Sequence, residues 1–248
     1  MKRKYKVVIA YDGTAYSGWQ FQTNAVGVQQ VVEEALGYLE QSPVRVFGSS
    51  RTDAGVHAKG FVGHFYLTKP IPPANLVRAM NSRLPDAVRI VRASYAKEDF
   101  DARLSARGKE YRYQLYQGEI MPPHLVPYWA FCHRQLDLEA MRKAASYFVG
   151  RHDFVSFAAN PNRELESTVR NIFSFEVRKT GNRYVFVVRG DGFLYKQVRS
   201  MVGFLISVGK GNEKPEAVRE LLEAKTPRTA RVETASPRGL FLWKVFYA

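Results

Sequence analysis

The stretch between residues 171 and 189 constrains the fold more than any other. Two alternating runs, 171–178 and 183–189, flank Thr180-Gly181-Asn182. A period of two marks a strand buried on one face, and a short glycine-containing turn joins two such strands antiparallel. A parallel pair would need a crossover of a dozen or more residues. Residues 4–11 alternate in the same way, with Tyr5, Val7, Ile9 and Tyr11 on one face, as do 87–93, 111–116 and 240–247. Residues 61–67 read as a further strand. Helical spacing runs through Val28, Val31, Val32, Ala35, Leu36 and Leu39 and closes at Ser42-Pro43. Pro72-Pro73 opens a second helix through Leu76, Val77, Met80 and Leu84. Asp137 is the expected N-cap of a third, through Leu138, Met141, Ala145 and Phe148 to Gly150. A long helix passes through Leu194, Val198, Met201, Val202, Leu205 and Val208 to Gly209, and 215–224 form another. Hairpin-length connections and strands out of strict βαβ alternation predict an α+β fold. Its two halves, 1–104 and 105–248, are expected to fuse through one mainly antiparallel sheet.

The chain carries 37 Lys and Arg against 23 Asp and Glu, a formal net charge of +14 over 248 residues. Charge of that size speaks of a polyanionic partner, not of fold. The 14 tyrosines and 16 phenylalanines can fill a core, which excludes wholesale disorder. A single cysteine, Cys132, excludes an intrachain disulfide framework. No apolar window of about eighteen residues occurs, so a soluble cytoplasmic protein with no membrane span is expected.

Common cofactor motifs are absent. There is no P-loop, since residues 48–55 have glycines but no lysine. Gly209-Lys210-Gly211 lacks the third glycine of a dinucleotide fingerprint and follows a helix. No H-E-x-x-H, C-x-x-C or G-x-S-x-G is present, and the adjacent Cys132-His133 pair has poor zinc spacing. Neither metal nor organic cofactor is expected, so the chemistry falls to carboxylates, tyrosines and arginines.

One loop stands out: Gly48-Ser49-Ser50-Arg51-Thr52-Asp53-Ala54-Gly55-Val56-His57. Its composition suits an ordinary turn whose aspartate accepts backbone N–H bonds. Spacing alone favours that turn; the other reading is a loop that presents a carboxylate, which is ionised at neutral pH without a general base and can attack an electrophilic carbon. The segment resembles the active-site signature of the tRNA pseudouridine synthases of the TruA family. Four more stretches resemble that family in its own order. They are Tyr11-Asp12-Gly13-Thr14-Ala15-Tyr16-Ser17-Gly18-Trp19-Gln20-Phe21-Gln22, Ser105-Ala106-Arg107-Gly108-Lys109-Glu110-Tyr111-Arg112-Tyr113, Phe193-Leu194-Tyr195-Lys196-Gln197-Val198-Arg199-Ser200-Met201-Val202-Gly203 and Gly239-Leu240-Phe241-Leu242.

The resemblance implies an isomerase without metal or cofactor. It would convert uridine to pseudouridine at positions thirty-eight to forty of the tRNA anticodon stem-loop. It also implies two ferredoxin-like halves with the cleft between them, the first carrying the catalytic loop and the second completing the cleft, in a homodimer that contacts tRNA with both subunits. The family's catalytic aspartate maps to Asp53. Tyr111 takes a substrate role, stacking on a base that has left its helix; without the resemblance it reads as a core aromatic, as Tyr113 does. Arg51 would contact the displaced nucleotide. Arg199, at the border of an apolar helix face, would reach the cleft and pair with Asp53; otherwise it is a snorkelling surface arginine. Arg103, Arg107, Lys109 and Arg112 cluster near Tyr111 as RNA-backbone candidates, with Arg228, Arg231 and Arg238 farther on. The competing reading is a non-catalytic RNA-binding module, which has no need of an acidic residue in a basic cleft.

Overall fold

Tyr5, Val7, Ile9 and Tyr11 alternate along β1 (Arg3–Tyr11), and all four are buried. In the computed structural model, which describes residues 2–159 and 167–248, this strand organises the first of two compact units, Met1–Arg107 with Phe241–Ala248. It pairs antiparallel with β3 (His57–Leu67) on one side and β4 (Val88–Tyr95) on the other. The short β2 (Phe47–Gly48) pairs antiparallel with β3. Two helices, α1 (Val28–Glu40) and α2 (Pro73–Asn81), complete a βαββαβ order with strands arranged β4-β1-β3-β2, the ferredoxin-like pattern. β10 (Leu240–Phe246) also joins β3, but parallel, with Phe241 opposite His57 and Leu242 opposite Ala58.

The pleat decides which side of this sheet is core. Opposed pairs Tyr5/Phe65 and Ile9/Phe61 point to one face, and all four side chains are buried, as are Val28, Val32, Leu36, Leu76 and Met80 of the helices. Lys4 and Lys6 point to the other face, where the chain after β4 is strapped down. The Lys4 ammonium donates to the carbonyls of Glu98 (2.6 Å) and Phe100 (2.7 Å). His64 Nδ1 accepts from the Ala102 N–H at 3.0 Å, and the Tyr247 hydroxyl donates to the Ala102 carbonyl at 2.6 Å.

The second unit, Gly108–Leu240, is built on the predicted hairpin. β8 (Val169–Thr180) and β9 (Arg183–Gly190) pair antiparallel from Thr180 opposite Arg183 onward. β5 (Gly108–Gln117) lies antiparallel on β9, and β7 (Gly150–Asp153) antiparallel on β8. β6 (Ala130–Cys132) pairs parallel with β5. The helices are α3 (Leu138–Ser146), α4 (Gln197–Gly209) and α5 (Ala217–Ala224). Asp137 caps α3 as expected, its carboxylate accepting from the Ala140 N–H at 2.9 Å. Phe148, Phe154, Phe157, Phe186 and Phe204 are fully buried, with Phe148 and Phe157 edge to face at 4.8 Å between ring centres.

The α+β class and the mainly antiparallel pairing agree with the sequence. Several boundaries do not. α4 begins at Gln197, not before Leu194, because Lys196 adopts a left-handed backbone (φ 59°) and Gln197 Oε1 accepts the Leu194 N–H at 2.8 Å. α3 stops at Ser146, leaving Phe148 in a turn, and β3 starts at His57, four residues ahead of Phe61. Among the described residues no helix is long and apolar enough to cross a membrane.

Candidate active site

Asp53 sits half-buried in the loop between β2 and β3. Each side of that loop is tied down. Ser49 is buried, its N–H donating to the Val62 carbonyl (2.8 Å) and its hydroxyl accepting the Val62 N–H (3.3 Å). Beyond the aspartate, the Val56 N–H returns to the Asp53 carbonyl at 3.1 Å, closing a tight turn with Gly55 at φ 75°. Arg51 is exposed, and Thr52 between them is buried. The buried Thr52 thus anchors the turn between an exposed Arg51 and a half-buried Asp53.

The segment after β1 holds this loop from the other side. The Tyr11 and Thr52 hydroxyls are 2.8 Å apart. The Trp19 N–H donates to the Thr52 carbonyl (3.2 Å), and the Gly55 N–H to the Tyr16 carbonyl (3.2 Å). His57, fully buried, accepts the Gly13 N–H on Nδ1 at 3.0 Å and stacks on Phe241 at 4.6 Å. Two glycines let the backbones approach this closely. A Cβ on Gly13 would lie 2.0 Å from the Val56 carbonyl oxygen. One on Gly18, whose φ is 93°, would lie 2.4 Å from the Thr52 carbonyl oxygen. Trp19 stacks on Phe61 at 3.8 Å between ring centres, flooring the arrangement. The loop bearing Asp53 is therefore a fixed mount, in which a carboxylate is presented by backbone bonds from two separate segments.

Tyr111 and Arg199 belong to the second unit. Tyr111 is buried on β5, its ring edge-on to Phe193 at 5.2 Å. Arg199 lies in the first turn of α4 and is half-buried. It is clasped by a reciprocal pair with Ala235: Arg199 Nε donates to the Ala235 carbonyl (2.8 Å), and the Ala235 N–H donates to the Arg199 carbonyl (3.0 Å).

The basic candidates separate into two kinds. Arg103 and Arg107 are exposed. Arg112 is engaged within the protein: its Nε donates to Glu110 at 2.7 Å, and Arg189 Nε meets the other oxygen of the same carboxylate at 2.6 Å. Glu110 is only 2% exposed. Burial pushes its pKa up, but the bonds from Arg112 and Arg189 outweigh that and hold it below the usual carboxylate range. Lys109 is half-buried beside it. Arg231 is paired with Glu213 at 2.7 Å, and Arg228 donates to Ser200 and Thr234. Among the described residues no three His, Cys, Asp or Glu side chains converge as a metal site would require.

Sequence reasoning missed the supports: Tyr11 and His57 against the Asp53 loop, Ala235 against Arg199, and Glu110 beneath the arginines. The signal that could have found the first was Gly13 and Gly18, two glycines in one short segment. A family model described as tRNA pseudouridine synthase matches residues 7–104 and 144–248. A tRNA pseudouridine synthase A of Exiguobacterium sibiricum is 43% identical over 99% of this chain and 97% of its own length. Chlamydia muridarum has one at 42%, covering 100% of this chain and 93% of that one. A protein of Clostridium perfringens named tRNA pseudouridine synthase A 2 is 41% identical over 99% of this chain and 100% of its own. With the family model matching most of the chain and relatives above 40% identity along nearly its whole length, the chain belongs to the tRNA pseudouridine synthase family.

Proposed function

We propose that the protein isomerises uridine to pseudouridine at positions thirty-eight to forty of the tRNA anticodon stem-loop, with Asp53 as the nucleophile. The observation that carries this reading is the rigid presentation of one carboxylate, on a doubly anchored loop, by a chain of net charge +14. A passive RNA binder gains nothing from holding a negative group this firmly. In the reaction the N1–C1′ bond breaks, the uracil turns, and C5 is joined to C1′ while its hydrogen leaves as a proton and N1 takes one up. Nothing is oxidised or reduced. Asp53 supplies the electron pair that tides the substrate over the detached stage. Tyr111 stacks on the target base, which must leave its helix to react. Arg51 contacts the displaced nucleotide, and Arg199 binds the substrate's anionic part. Arg103, Arg107, Lys109 and Arg112 contact RNA phosphates, with Arg103 and Arg107 the better placed because they are exposed. The working form is a homodimer.

The test is release of tritium from tRNA labelled at uracil C5, since that hydrogen is lost only when C5 becomes the glycosidic carbon. Asp53→Asn is expected to bind tRNA within a few-fold of wild type and to release no label. Release at the wild-type rate would remove Asp53 from the chemistry. Binding by the wild-type protein with no release from any tRNA would favour the non-catalytic RNA module.

A further inference from the structure

Between β4 and β5 the chain makes a tight turn that is held on every side. The Asp101 carboxylate accepts the N–H groups of Arg103 (2.7 Å) and Leu104 (2.8 Å). The Ser105 N–H returns to the Asp101 carbonyl at 3.0 Å, and the Ser105 hydroxyl accepts the Asp101 N–H at 3.0 Å. The first unit grips the turn from below. Ala102 is buried between its bonds to His64 and Tyr247, and the Arg107 N–H donates to the Phe246 carbonyl at 2.8 Å. Leu104 stands on this turn 82% exposed, more than any other large apolar side chain among the described residues. Arg103 and Arg107, on either side of it in the chain, are exposed as well.

The fold gains little from a leucine here. Its side chain buries almost no surface, and its contribution to the turn is a backbone N–H that any residue but proline has. Lone exposed apolar residues are common. This one differs in being held fast between two cations. Ile120, 80% exposed, is the contrast: it lies between Glu119 and Met121.

We propose that Leu104 is an RNA contact, packing on the face of an unpaired nucleobase of the substrate tRNA between phosphates held by Arg103 and Arg107. The inference rests on the reading of tRNA as substrate and of these arginines as phosphate contacts. An unpaired stretch of RNA matches the turn in kind, since its phosphates are separated by bases whose faces are free. A paired stretch does not, because stacking covers those faces. Leucine is among the side chains that pack against or between bases. A protein partner calls for a broader apolar patch than one side chain. Because the turn is ordered before RNA arrives, little conformational freedom is lost on contact.

Leu104→Ala removes the apolar tip and keeps every hydrogen bond of the turn. Its tRNA affinity is expected to fall about tenfold. The slope of log affinity against log salt is expected to stay at the wild-type value, because no phosphate contact is lost. Affinity for a fully paired RNA duplex is expected to match wild type, and Ile120→Ala is expected to bind tRNA as wild type does. Undiminished tRNA affinity in Leu104→Ala overturns the proposal. So does an equal loss on the duplex, a reduced salt slope, or an equal loss in Ile120→Ala. A changed sedimentation coefficient of Leu104→Ala without RNA would overturn it too, by seating the leucine against a second copy of the chain. Tritium release decides the other reading separately: a wild-type protein that binds tRNA through Leu104 yet releases no label refutes the isomerase and leaves the contact standing.

Discussion

Gly13→Ala tests the claim that the segment after β1 sets the position of Asp53. The added Cβ would lie 2.0 Å from the Val56 carbonyl oxygen, whereas real Cβ atoms do not come within 3.0 Å of such a neighbour. About 1 Å must therefore open between two stretches of backbone, neither of which has a flexible tip to yield. Val56 is bonded to the Asp53 carbonyl and precedes His57, whose ring takes the Gly13 N–H, so the displacement passes to the aspartate. Overpacking of this kind costs about 1–3 kcal/mol in stability. A misplacement of about 1 Å at a reacting group costs about a hundredfold in rate, equivalent to about 2.7 kcal/mol. The assay is C5-tritium release at saturating enzyme, run beside urea unfolding and tRNA binding. The expected result is a folded protein that binds tRNA within a few-fold of wild type and reacts about a hundredfold more slowly. Wild-type turnover in a folded Gly13→Ala protein would refute the reasoning. A rate loss that merely tracks the unfolded fraction would do the same.

Other expectations are independent of that one. Gly37→Ala lies inside α1 with its nearest neighbour 3.5 Å from the new Cβ, so it should gain about 0.5–1 kcal/mol and keep full turnover. Glu110→Gln leaves Arg112 and Arg189 facing each other without their carboxylate; because both reach solvent, the loss should be about 1–2 kcal/mol in urea unfolding, below that of a fully buried pair. The His64 pKa is lowered by burial and by Lys4, with Asp101 opposing. As pH falls below about 6.5, the unfolded chain takes up a proton that folded His64 refuses, so stability is full above that value and declines below it. His64→Asn, which keeps an acceptor for the Ala102 N–H, should lose less of its thermal midpoint than wild type between about pH 7.5 and about pH 5.5; an equal loss would clear His64. Arg107→Ala should weaken tRNA binding for all tRNAs alike and reduce the salt slope by about 1, and an unchanged slope would take Arg107 off the phosphates.

What the sequence made legible depended on local physics. The 171–189 hairpin, α1 and the Asp137 cap each declare themselves within a few residues, through period, breaker or cap, and each is present in the structure. β6 and β7 were illegible because three or four residues cannot establish a period, and β6 owes its form to the parallel pairing with β5. The start of α4 was misplaced because apolar spacing continues through Leu194, while the break at Lys196 is a backbone event that a lysine does not advertise. The Asp53 loop was visible as a string of turn residues. Its mount was not, since hydrogen bonds from Tyr11, Gly13 and Trp19 span some forty positions and leave only two glycines as a trace. Arg112 reads in sequence as one basic residue among four; only the fold reveals the buried carboxylate that engages it.

The pairing of β10 with β3 has a consequence for the order in which the protein can be made. Phe241 covers His57, and His57 takes the Gly13 N–H that helps fix the Asp53 loop, yet all of residues 108–240 are synthesised between the two partners. During translation the first unit emerges with every strand but one and waits for the ribosome to finish the second. The mount of the Asp53 loop is thus completed only by a strand synthesised after the whole second unit, so a chain that ends within that unit lacks the Phe241 ring that covers His57.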